Sequence, residues 1–167
     1  MTDLSSSSSS AGSTTGAVEG RLADLGRTLP SVAAPVGAYV PAVISGRYVY
    51  TSGQLPFVEG RLPATGKVGA TVDPQAAQDL AATSALNALA AVKGVIGDLD
   101  RVVRVVKVVG FVASDPSFIG QPQVLNGASD LIGAVFAEAG VHARSAVGVA
   151  VLPMDSPVEV ELVVEFD

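Results

Sequence analysis

Residues 73–112 read DPQAAQDL AATSALNALA AVKGVIGDLD RVVRVVKVVG FV. Asp73 is a helix N-cap, and Pro74 stands at the first helical position, where its missing N–H costs nothing. Ala82, Leu86, Leu89, Val92 and Ile96 follow at steps of three and four and make one apolar stripe. Gly97 closes the helix. From residue 102 the pattern changes to a nearly continuous run of β-branched side chains, interrupted by Arg104 and Lys107. Such a run reads as a strand buried on both faces or nearly so.

Downstream, Ser114-Asp115-Pro116-Ser117 is a turn, and a second helix is predicted over 123–139. Its stripe is Leu125, Ala128, Ile132, Val135, Phe136 and Ala139, with Gly140 as its stop. Residues 145–152 read as a strand, 153–157 as a turn and 158–166 as the last strand. In that last strand Val158, Val160, Leu162, Val164 and Phe166 share one face, and Glu159, Glu161, Val163 and Glu165 the other. The short turn predicts that the strands 145–152 and 158–166 are antiparallel neighbours. Upstream, 39–44 and 47–52 read as two strands joined by a turn at Ser45-Gly46. The Pro- and Gly-rich segment 53–69 is loop or irregular hairpin. Residues 18–29 carry a short amphipathic helix ended by Pro30, and 31–37 an extended linker. Residues 1–16, rich in Ser, Thr and Gly, have almost nothing to bury and read as a disordered tail, leaving 17–167 as a single domain.

The element order is β-β-α-β-α-β-β after a short leading helix, an α+β class, with no internal repeat. Two long helices cover one face of a mixed sheet. The strands at 102–112 and 145–152 carry apolar or small residues on both faces, so the second face calls for cover by another copy of the chain.

The 167 residues are 49% hydrophobic and 16% charged, which suits one domain with a real core. With no cysteine, disulfide frameworks, thiolate metal sites and thiol nucleophiles are excluded. No membrane span or secretory signal is read, and the expectation is a soluble cytoplasmic protein. Ten basic residues against sixteen acidic ones, net −6, argue against a nucleic-acid partner.

The lone histidine, His142, cannot build a His-based metal site and reads as an exposed loop residue. No G-x-S-x-G supports a serine triad, and 60–67 has the wrong glycine spacing for a phosphate loop. Arg144 remains. Its same-face neighbours along the strand are Ala146, Gly148 and Ala150, which leave a hollow beside a rigid fork of donors suited to a carboxylate. The alternative is an arginine pairing with a surface acid at a strand end. Glu159 and Glu161 either solvate an outer face or, where an oligomer occludes that face, are hydrogen-bonded or functional. Tyr39, Tyr48 and Tyr50 suit packing, and Asn126 lies off the apolar stripe of its helix.

Two segments are specific as an ordered pair: Tyr50-Thr51-Ser52-Gly53-Gln54-Leu55-Pro56, and Ala143-Arg144-Ser145-Ala146-Val147-Gly148-Val149-Ala150-Val151-Leu152-Pro153 followed by Val158-Glu159-Val160-Glu161. Together they resemble the Rid family of reactive intermediate deaminases, also called YjgF-like or L-PSP endoribonuclease-like proteins. The resemblance covers roughly 39–166, with features of a divergent subgroup.

The resemblance implies a chorismate-mutase-like sheet backed by two helices, here with an extra N-terminal helix. It implies a homotrimer with ligand clefts between neighbouring subunits. It places the carboxylate-binding arginine at Arg144 and the glutamate that helps to place water at Glu159. It places further ligand contacts at Tyr39, Ser52, Gly53 and Asn126, and Ala146 where many members have cysteine. The implied activity is hydrolysis of reactive 2-iminoacids, or their enamine tautomers, to 2-oxoacids and ammonia, with no cofactor and no metal. The rival readings are a non-catalytic trimeric binder of small carboxylates and, against the acidic charge and single histidine, an endoribonuclease.

Overall fold

A computed structural model describes residues 16–32 and 38–167. The predicted tail falls outside these residues except for Gly16, as does most of the linker at 31–37. The helix at 73–97 forms as read. Asp73 accepts hydrogen bonds from the backbone N–H groups of Gln75 (2.9 Å) and Ala76 (3.2 Å). Helix α2 then runs Pro74–Ile96, and Gly97 ends it at φ 85°. All five stripe residues are buried. The loop 53–69 is tied to α2 through Asn87, whose side-chain amide donates to the carbonyls of Leu55 (2.8 Å) and Phe57 (3.1 Å). By length and composition α2 could cross a membrane, but it is a core helix, mostly buried within the fold.

Strands β1 (Ala42–Ser45) and β2 (Tyr48–Thr51) form a hairpin closed by Gly46-Arg47, with Gly46 at φ 61°. Strand β3 is Val102–Ala113, helix α3 is Gln121–Phe136, strand β4 is Ala143–Val149 and strand β5 is Val158–Phe166. The sheet order is β1-β2-β5-β3-β4, with β3 and β4 parallel and the other pairs antiparallel. Helices α2 and α3 cover one face. They approach closely at Gly127, where a Cβ would overlap the Gln78 carbonyl, and α3 lies on β3 at Gly110, where a Cβ would overlap Leu125. The alternation read in the last strand holds: Val158, Val160, Leu162 and Val164 are all buried.

The leading helix α1 (Ala17–Asp24) docks on the helical layer. The Asp100 carboxylate accepts from the N–H groups of Ala17 (2.7 Å) and Val18 (2.8 Å) and so caps α1 from a distant segment. The helix ends five residues before the predicted 29, because Gly26 turns left-handed at φ 67° and Arg27 N–H closes onto Leu22 O. Helix α3 begins two residues before the predicted 123. It tightens into a 3-10 turn at Ala137–Gly140, where Ala137 takes φ 51°.

One expectation about topology is corrected. The strand holding Arg144 does not pair with the last strand; β3 lies between them. The connection 150–157 passes over the end of β3, where Ser114 N–H bonds Val149 O (3.0 Å) and Ala113 N–H bonds Pro157 O (2.9 Å). Helix α3 acts as a crossover that lays β4 parallel to β3 as an edge strand, a connection that a hairpin cannot make.

Candidate functional site

The parallel register sets Arg144 opposite Val108, Ala146 opposite Gly110 and Gly148 opposite Val112. Val108 and Val112 are fully buried under the helices, so Arg144, Ala146 and Gly148 share the helix-side face at the open edge of the sheet. There the middle of α3 meets the arginine. Arg144 Nη1 donates to Asn126 Oδ1 (2.9 Å) and to Ser129 Oγ (3.2 Å). Both protons of that nitrogen are thereby engaged. Nε–H and Nη2–H, the parallel donors on the other side of the guanidinium, have no partner among the described residues. Arg144 forms no ion pair there either, which removes the reading of a surface acid at a strand end.

A second cluster lies on the opposite sheet face. Glu159 is opposite Phe111 and Glu161 opposite Val109. The Glu159 carboxylate lies directly over Gly53, so closely that a Cβ at residue 53 would overlap it. A side chain at residue 53 would push the Glu159 carboxylate aside. Gly53 is held by its neighbours: Gln54 and Val160 exchange backbone hydrogen bonds (2.9 and 3.0 Å), and Ser52 Oγ donates to Val40 O (2.6 Å). The Ser52 bond brings the chain at Tyr39, whose ring is half exposed, beside the cluster. The Gly53 N–H has no partner among the described residues. Burial raises the Glu159 pKa above the ordinary carboxylate value, and the neighbouring Glu161 charge raises it further; burial also raises Glu161.

Arg144 is in line with Leu162, three residues along β5 from Glu159 and two strands away. That is about 14 Å, with the two side chains on opposite faces. One copy of the chain therefore unites Arg144, Asn126 and Ala146, and separately Ser52, Gly53 and Glu159 with Tyr39 at hand, but does not bring the two groups together.

Ser129 and His142 belong to the arginine cluster and are absent from the sequence-based set. His142 is half-buried rather than an exposed loop residue. Its Nε2 lies 3.0 Å from Ser129 Oγ and its Nδ1 2.6 Å from Gly140 O. The signal was spacing: Ser129 is one helical turn from Asn126, and His142 is two residues from Arg144 at the start of a strand.

Residues 19–166 match the family described as "YjgF/chorismate mutase-like, putative endoribonuclease". The protein TCP17 of Trypanosoma cruzi is 47% identical over 153 residues, 91% of this chain and 96% of that protein. The crystal structure of Atu1372 from Agrobacterium tumefaciens, of unknown function, is 50% identical, covers 90% of this chain and 93% of its own, and superposes with TM-score 0.85. Escherichia coli TdcF with bound serine is 27% identical, covers 84% of this chain and 97% of its own, and gives TM-score 0.54. A mixed sheet backed on one face by two helices, carrying these two segments, is the architecture of that family. The chain belongs to the YjgF/chorismate mutase-like family.

Proposed function

We propose that the chain is an enamine/imine deaminase that hydrolyses 2-iminoacids to 2-oxoacids and ammonia. The observation that carries this reading is the open Nε/Nη2 edge of Arg144, a planar pair of donors with no acid partner among the described residues, on a wall of small residues. A carboxylate fills that edge. In this reading Arg144, with Asn126 beside it and Ala146 leaving room, comes from one subunit. Tyr39, Ser52, Gly53 and Glu159 come from its neighbour in a trimer.

Water adds to the imine carbon of the bound substrate as its proton passes to Glu159. That proton passes on to the nitrogen to give a carbinolamine. The carbinol O–H proton then moves through the same carboxylate to the nitrogen as the C–N bond breaks and the C=O bond forms, and ammonia leaves with the 2-oxoacid behind. Glu159 suits the shuttle because burial and Glu161 raise its pKa toward the working range. The Gly53 N–H offers a donor close to that carboxylate. The reaction needs neither metal nor redox cofactor, and the absence of cysteine suits a reducing, cytoplasmic setting.

The structure of TdcF with bound serine favours a second reading, a binder of small amino or oxo acids that performs no turnover. The same arginine serves both. Generating a 2-iminoacid in place and following ammonia or 2-oxoacid release separates them. Hydrolysis faster than the spontaneous rate supports the deaminase. Binding of 2-oxobutanoate with no acceleration supports the binder.

A further inference from the structure

The reaction proposed above uses neither Ser129 nor His142, yet the two form an ordered chain that ends on Arg144. A backbone carbonyl only accepts, so the 2.6 Å contact with Gly140 O puts the imidazole proton on Nδ1. The neutral ring then presents its Nε2 lone pair to Ser129, 3.0 Å away, and the hydroxyl donates to it. With its proton committed, Ser129 Oγ turns its lone pairs to Arg144 Nη1 at 3.2 Å. Asn126 Oδ1 takes the other proton of Nη1 at 2.9 Å. Two bonds at one nitrogen fix the plane of the guanidinium, and the edge left open is Nε–H with Nη2–H.

We propose that His142 and Ser129 are positioning residues that hold the Arg144 guanidinium in the plane and orientation in which it receives a carboxylate side-on. This rests on the deaminase or binder reading of the same site and names what orients its anchor. Without the imidazole the Ser129 hydroxyl is free to rotate among its staggered positions. One of these points a proton at Arg144, and the arginine loses its fixed plane. The device selects a flat, two-oxygen anion of fixed azimuth, and so sets where carbon 2 of the substrate lies.

The test is titration with 2-oxobutanoate alongside melting curves for six variants, Arg144→Lys among them. His142→Leu and Ser129→Ala are each expected to weaken binding about three- to tenfold, the range of one neutral hydrogen bond. His142→Gln, whose Oε1 can replace Nε2 as acceptor, restores most of the affinity, and Ser129→Thr keeps it. The decisive variant is His142→Leu combined with Arg144→Lys: acting only through the arginine, the histidine change adds no further loss. Where imine hydrolysis is measured, KM rises and kcat falls, because the carboxylate is both weakly held and misaligned.

Wild-type affinity with a lowered melting temperature in His142→Leu and Ser129→Ala overturns the inference and makes the pair a fold brace. Additive losses in the double variant overturn it too. If Arg144→Lys itself leaves affinity unchanged, the anchor falls, and with it both this inference and the reading beneath it. Should His142→Leu fail to fold, the smaller change Ser129→Ala carries the same comparison.

Discussion

Arg144 and Glu159 invite opposite experiments. Arg144→Lys keeps the charge and loses the planar fork, so 2-oxoacid affinity is expected to fall about ten- to a hundredfold, the range of a charge-assisted hydrogen bond. The fold should be nearly unchanged, which melting curves recorded alongside the titration check. Glu159→Gln removes a carboxylate that burial makes costly to ionise. A carboxyl whose pKa is raised in the folded state contributes stability below its unfolded value, near 4.5, and loses that contribution as pH rises through the folded value. Glu159→Gln should therefore melt higher than wild type at pH 8, with the gap closing toward pH 4.5, while imine hydrolysis is lost. A variant that melts lower at pH 8 contradicts this placing of the carboxylate. Arg144, Asn126, Gly53 and Glu159 were legible because their types and order match a family pattern. Ser129 and His142 were not, because a serine in a helix and a histidine after one have commonplace readings until the fold brings them within 3.0 Å.

The elements that the sequence announces most clearly are those whose signals are local. Helix α2 carries its own cap, stripe and stop, and β5 its own alternation. The position of β4 has no local signal. A short turn to the next strand suggests a hairpin, but the α3 crossover and the bonds at the end of β3 decide the pairing. The end of α1 differs from its sequence expectation for a similar reason, since Gly26 terminates the helix before Pro30 is reached. Helix α1 has only 8 residues and gains its order from docking. Replacing Asp100 by Ala removes its remote cap and should cost about 1 kcal/mol, or roughly 2–4 °C in melting temperature. Amide exchange should accelerate in α1 and stay slow in α2. The Asp100 carboxyl is held below its usual pKa by the Val18 and Ala17 N–H groups, so its contribution is present above pH 3.8 and fades as pH falls through the folded value. Unchanged exchange in α1 would leave that helix held by its buried Val18 and Leu22, the Arg21 bond to Val135 O and the Glu19–Lys93 ion pair.

At the scale of the molecule, the sheet face away from the helices leaves Val43, Tyr48, Tyr50 and Val147 each at least 39% exposed in the single chain, beside the half-buried Glu159 and Glu161. A face of this kind, together with two half-sites that do not meet, accounts for the trimer proposed above. Light scattering should give three times the chain mass at micromolar concentration, and a stable monomer would remove both the cover and the cleft. The central claim, a site shared between two subunits, has a more direct test. Arg144→Ala and Glu159→Gln are each expected to abolish imine hydrolysis. When the two are unfolded and refolded together in equal amounts, some clefts receive Arg144 from one chain and Glu159 from the other. Random assembly restores about one quarter of the clefts, a half times a half, and activity should return to that fraction of wild type. A mixture no more active than its two parents, with mixed trimers confirmed by mass, would contradict the account.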